Sequence, residues 1–149
     1  MYSKDNLVYI LTMLEAIEKI FLYSSKFDSA HDFFKANDQL NYNGCNNLLL
    51  AIGEESKKID TDLKAKYPEI PWPLIAQLRN RLAHDYRGLD PEVIFNIIHS
   101  YLPDLKKVLI LMIDCLAIDR DQLLSEVLFS DFYRHLNYLR PDTRKGENL

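Results

Sequence analysis

The chain has 149 residues, 48% apolar and 27% charged, with only 4 glycines and 6 prolines. It reads as one soluble domain, 1–149, with little material for a many-stranded, turn-rich fold. A net charge of −4 and a pI near 5.5 argue against the broad basic face of a general nucleic-acid coat protein, yet leave room for a small basic site.

The opening MYSKDNLVYIL is not that of a signal peptide. Leu7, Ile10, Leu11, Leu14, Ile17 and Phe21 then recur at helical spacing and predict a first helix, with Ser3 as N-cap and an end near Ser24 and Ser25. Glu15, Glu18 and Lys19 fall on its expected solvated side. Ser29 followed by Asp32 resembles a capping box for a short helix bearing Phe33 and Phe34. A long helix is predicted from about Gln39 to Ile59, with Leu48, Leu49, Ile52 and Ile59 inward. Gly53 interrupts it, where a glycine costs about 1 kcal/mol against alanine; a close helix contact would explain it.

YPEIPWP, Tyr67 to Pro73, breaks the helical pattern, although Pro73 suits the first turn of the next helix. That helix turns Ile75, Leu78 and Leu82 inward, and Gly88 is its expected terminator. Asp90 and Pro91 restart the chain as N-cap and first helical residue. Pro103 is expected to kink or split the helix begun there, before Leu105, Val108, Leu109, Met112 and Leu116 resume helical spacing. The most apolar run, Val108 to Ile118, contains Asp114 and falls short of the roughly 20 residues of a membrane span, so a cytoplasmic protein is expected.

A last amphipathic helix is predicted from about Arg120 to Leu139, followed by a disordered tail, PDTRKGENL. Its Phe129, Phe132, Tyr133, Leu136 and Leu139 are expected to cover the core, with Arg134, His135 and Arg140 on a solvated face. Cys45 and Cys115 lack any zinc or disulfide pattern and read as reduced thiols; His31 and His99 read as incidental. The fold class is all-α, a helix bundle.

Against this acidic background LRNRLAHDYRG, Leu78 to Gly88, stands out for its three arginines, a histidine and a tyrosine. Arginine offers phosphate oxygens a planar fork of donors. An imidazole, with a reference pKa of about 6.5, both takes and gives a proton near neutrality. Together they suit RNA, whose 2′-hydroxyl can attack its own phosphorus once a base takes the proton, and no metal or other cofactor is required. On a straight helix Asn80 and His84 lie roughly 40° apart, but Arg79 and His84 lie roughly 140° apart. Either the helix loosens near His84, or the groups meet in a groove built with another helix or subunit. A cationic helix end worth about 0.3–1 kcal/mol is the plain alternative.

At these residues the sequence resembles the HEPN superfamily, in its HepT-like branch. The ordered set is Arg79, Asn80, His84 and Tyr86, flanked by AIGEESKKI before the YPEIPW link and by LPDLKKVL after RNRLAHDYRGLDPEVIF; the similarity runs from about Asp5 to Leu109. The resemblance implies an up-and-down HEPN bundle that homodimerises with paired motifs facing one groove. It implies a metal-independent ribonuclease, the toxin of a type VII-like toxin–antitoxin pair. It further implies a partner like the minimal nucleotidyltransferase MntA, which attaches AMP to the motif tyrosine, here Tyr86. His84 would then be general base or acid and Arg79 the stabiliser of phosphoryl charge. Asn80, Arg81 and Arg87 would position the RNA, and Glu54, of the Gly-Glu pair, would help position the motif.

Two features depart from that branch: the asparagine-rich LNYNGCNNLLL, and the extension from about 120 to 149. A non-catalytic HEPN module that binds a nucleotide or the nucleotidyltransferase is the competing expectation, favoured by the acidic net charge because RNA affinity leans on neutralised phosphates. A helical assembly protein is the third.

Overall fold

A computed structural model describes residues 2–116 and 119–140, and the tail PDTRKGENL lies outside them. The described residues form an all-α bundle with no strand. Helix α1, Asp5–Ser24, lies at its centre. It packs on α3, Leu40–Lys58, and on α7, Leu102–Cys115, while α5, Trp72–His84, packs on the far side of α3. The expected stripe of Leu7, Ile10, Leu11, Leu14 and Ile17 is buried, and so are Met13 and Ala16 on other sides of the cylinder.

That breadth of burial corrects one expectation. Glu15 is not solvated; it is 1% exposed. Its carboxylate accepts from the His135 backbone N–H at 3.0 Å and pairs with His135 Nδ1 at 2.5 Å. The chain after α8, Arg120–Leu128, folds back over α1, and Tyr133 and Thr12 hydroxyls meet at 3.2 Å beside this pair. His135 is therefore a packing residue rather than part of a solvated face. Arg140 likewise donates to the Val127 carbonyl at 3.1 Å.

The single helix expected to Leu139 is broken: after α8 come two short 3-10 turns, Asp131–Tyr133 and Asn137–Leu139. Tyr133 and Leu136 are buried and Leu139 packs against the core, as core covering requires. Phe129 and Phe132 are exposed, because the break turns them outward.

Other starts and stops follow local chemistry. Ser3 Oγ accepts the Asp5 N–H at 3.2 Å, although the helical conformation already includes Lys4, so Ser3 lies one residue outside the cap position. Ser29 caps α2, Ala30–Lys35, by accepting the Asp32 N–H. Asn37, Asp38 and Gln39 then adopt left-handed backbone, which costs of order 1–2 kcal/mol per residue and sets the start of α3 at Leu40. Asn41 ties this corner down by donating to the Tyr23 carbonyl at 2.9 Å.

After α3 a short α4, Thr61–Ala65, fills the link that the sequence pattern leaves unassigned. Trp72 fixes the start of α5, its indole N–H reaching the Lys64 and Tyr67 carbonyls at 3.1 Å each. Asp90 caps α6, Pro91–Asn96, through the Glu92 N–H. The chain passes from α6 to α7 through a wide π-type turn, Ile97–Tyr101. Pro103 sits in the first turn of α7. Its ring has no N–H, and the widened turn moves that missing donor to a helix start, where it is tolerated. Burial pushes the Cys45 thiol up to about 12, which leaves it a packed, unreactive group.

Candidate active site

The motif hangs on the contact between α3 and α5. A Cβ built on Gly53 would lie 2.5 Å from Arg79 Cβ and 3.0 Å from its Cγ, so only glycine lets the two helices close to this distance. The close contact anticipated for Gly53 is present, and the residue it admits is the motif arginine. Gly53→Ala is expected to cost about 1–3 kcal/mol through overpacking, more than the roughly 1 kcal/mol alanine offers as a better helix former. A lower denaturant midpoint would show it; an unchanged or higher one would mean that α5 is free to shift.

With the helices this close, Glu54 next to Gly53 reaches Arg79 and forms an ion pair through Nε. Arg79 Nη1 donates to Asn80 Oδ1 at 3.2 Å. Nη2 has no hydrogen-bond partner among the described residues. The guanidinium is thus oriented at one edge and open at the other, the arrangement needed to receive an anionic oxygen.

His84 is the last residue of α5 and is exposed, with no hydrogen bond among the described residues. The helix holds through His84 and loosens only at Asp85, whose φ of −136° and ψ of 48° leave the helical region. The angular separation from Arg79 therefore persists within one chain.

Gly88 is not the terminator; the helix ends four residues earlier. Arg81 takes that part by donating to the Gly88 carbonyl at 2.9 Å, with the Asp85 carboxylate 3.9 Å from its guanidinium. This closes a 3-10 turn, Tyr86–Gly88. A Cβ at Gly88 would meet the Asp85 carboxylate at 2.6 Å, so glycine makes room there too. Arg81 is engaged in holding the loop, whereas Arg87 is exposed with no hydrogen bond among the described residues.

Tyr86 is 43% exposed, and its hydroxyl rests on α3. The hydroxyl donates to Asn43 Oδ1 and accepts from Asn46 Nδ2 at 3.3 Å. The sequence pattern does not single out these two asparagines, and their trace is the carboxamide density of LNYNGCNNLLL. Tyr42, just before Asn43, packs its ring on Phe33 and Phe34, and burial raises its hydroxyl pKa against the opposing effect of a hydrogen bond from Asn46. Glu54, Arg79 and Asn80 thus form one group, and Tyr86, Asn43 and Asn46 a second, with His84 between them in sequence and facing solvent.

An apolar groove lies elsewhere. It measures about 460 Å³ and is walled by Leu49, Ile52, Leu74, Ile75, Leu78 and Leu105, with Glu69 and Asp104 also in its lining. Carboxylates and apolar walls do not suit a polyphosphate. Among the described residues no three or more His, Cys, Asp or Glu side chains gather as a metal site, and no helix is long and apolar enough to cross a membrane.

Comparison with known proteins gives a consistent assignment. The family described as ribonuclease HepT-like matches residues 13–112, a span holding Gly53, Glu54 and the whole motif. A Methanocaldococcus jannaschii protein assigned as an RNase is 33% identical over 99 residues, covering 60% of this chain and 90% of that one. A second from the same organism, also assigned as an RNase, is 31% identical over 109 residues, covering 72% and 88%. A Thermococcus cleftensis protein assigned as ribonuclease HepT is 44% identical over 55 residues, covering 37% and 50%. No solved structure matches. The chain belongs to the ribonuclease HepT-like family, and its activity is that of a ribonuclease.

Proposed function

We propose that the chain is a metal-independent endoribonuclease and the toxin of a toxin–antitoxin pair, neutralised when a minimal nucleotidyltransferase attaches AMP to Tyr86. The observation that carries this reading is the Arg79–Glu54 ion pair over Gly53, which holds the guanidinium by one edge and presents the other. In the reaction the 2′-oxygen attacks the adjacent phosphorus as His84 takes its proton. The 5′-oxygen then leaves with a proton returned from an imidazolium, giving a cyclic phosphate. Arg79 stabilises the charge gathering on the non-bridging oxygens. Asn80 and Arg87 contact the flanking backbone, and Arg81 adds its charge while closing the turn.

Because α5 stays helical through His84, Arg79 and His84 of one chain face different directions by roughly 140°. A homodimer with the two motifs across one groove brings the arginine of one copy toward the histidine of the other. AMP on Tyr86 would place a phosphate charge and a nucleoside in that groove, against an incoming RNA backbone.

The test is expression of the chain alone and together with a minimal nucleotidyltransferase. Growth arrest is expected alone and relief on co-expression, with the mass of one AMP on the peptide containing Tyr86. Relief without that mass would remove AMP transfer from the account. Tight nucleotide binding with intact RNA would favour a non-catalytic module.

A further inference from the structure

The Tyr86 phenol is fastened to α3 by two carboxamides that packing does not explain. Asn43 and Asn46 stand three residues apart, hence side by side on the helix surface. Asn46 is 1% exposed, and its Oδ1 has no partner among the described residues. A buried carboxamide with one end unsatisfied is worse for stability than an apolar side chain of the same shape. Asn46 Nδ2 instead serves two phenols, Tyr42 on its own helix and Tyr86 across the gap at 3.3 Å. Tyr86 lies two residues past His84 and opens the 3-10 turn whose other end Arg81 holds at the Gly88 carbonyl. The turn after the motif histidine therefore has two fastenings. One is internal to the α5 region; the other reaches across to α3 and depends on a hydroxyl proton.

Resting on the reading of Tyr86 as the AMP acceptor, we infer that Asn43 and Asn46 are positioning residues that dock the turn after His84 onto α3, and that esterifying the Tyr86 oxygen undocks it. In the transfer the Tyr86 oxygen bonds to the α-phosphorus of a nucleoside triphosphate, pyrophosphate leaves, and the phenolic proton passes to water. The resulting aryl phosphate oxygen has no hydrogen for Asn43 Oδ1. Nor does closed-off Asn46 leave room for a phosphodiester beside it. The modified side chain must leave α3 and takes the turn with it. Neutralisation then includes a displacement beside His84 as well as added bulk and charge.

The experiment uses the full chain, free of nucleotide and partner, as wild type, Asn43→Leu (shape kept, acceptor lost), Asn43→Asp (acceptor kept) and Tyr86→Phe. One readout is O-acetylation by N-acetylimidazole, located by peptide mass spectrometry, with exposed Tyr101 as internal reference. The other is cleavage of a single-stranded RNA. Asn43→Leu is expected to raise Tyr86 acetylation relative to Tyr101 by roughly 2- to 10-fold, the weight of one hydrogen bond, and Asn43→Asp to restore protection. Asn43→Leu and Tyr86→Phe are expected to lower kcat, with Asn43→Asp close to wild type. Unchanged acetylation in Asn43→Leu would overturn the docking. Wild-type cleavage by Tyr86→Phe would overturn its link to activity and leave AMP acting by bulk alone. A wild type that leaves RNA intact would instead sink the nuclease reading, while the acetylation contrast still decides the docking.

Discussion

His84→Ala is expected to lower RNA cleavage by roughly 10²–10⁴-fold, the usual weight of a positioned general acid or base, while changing stability by no more than about 0.5 kcal/mol. The separation of the two effects follows from where the ring sits. His84 closes α5, is exposed, and makes no hydrogen bond among the described residues, so its removal leaves neither a cavity nor a widowed partner. A merely cationic helix end predicts the reverse pattern, a small stability loss with cleavage intact. Purified protein, a defined RNA and a chelator supply the measurement. Equal cutting by both proteins would remove His84 from the chemistry.

Arg79→Lys is expected to lower kcat by roughly 10²–10³-fold, although the charge is conserved. Arginine serves two partners at once here, Glu54 through Nε and Asn80 through Nη1, and still leaves Nη2 open. A lysine ammonium is one point charge on a flexible stem and cannot hold Glu54 while presenting a second, rigidly placed donor edge. The effect should therefore fall on turnover more than on RNA binding. Circular dichroism matching wild type would show that the α3–α5 contact survives. A lysine variant with undiminished kcat would mean that charge alone suffices and that the fork orientation set by Glu54 has no catalytic value.

The helices were legible where one physical cue dominates. Apolar spacing marks α1, Ser29 and Asp90 mark their caps, and the proline-rich link marks the start of α5. What escaped the pattern depends on distant contacts. Glu15 reads as solvated because it shares a helix side with Glu18 and Lys19, yet its fate is decided by His135, 120 positions away. The left-handed Asn37–Gln39 corner has no glycine to announce it. The π-type turn before Pro103 is one of several ways to absorb a missing N–H.

At the motif the same division holds. The spacing of Arg79 and His84 and the anomaly of Gly53 are local, so they could be read directly. That Arg81 would close the loop could not be read, since it requires knowing that α5 ends at His84 rather than Gly88. Asn43 and Asn46 were visible as an oddity of composition, but their purpose emerges only when Tyr86 is laid over α3.

Glu15 lies inside the span shared with the family, whereas the residue that neutralises its isolation, His135, lies beyond it. A carboxylate sealed from water is tolerable only while its partners are present. Trimming the chain to the shared span would take away His135 and return the Glu15 carboxylate to water beside Lys19, 3.9 Å away, while baring the part of α1 that the 3-10 turn at Tyr133 packs against. The stretch beyond the family boundary thus dries out one side of α1, and a shortened chain would call for polar replacements on the surface it uncovers, with Glu15 left in place.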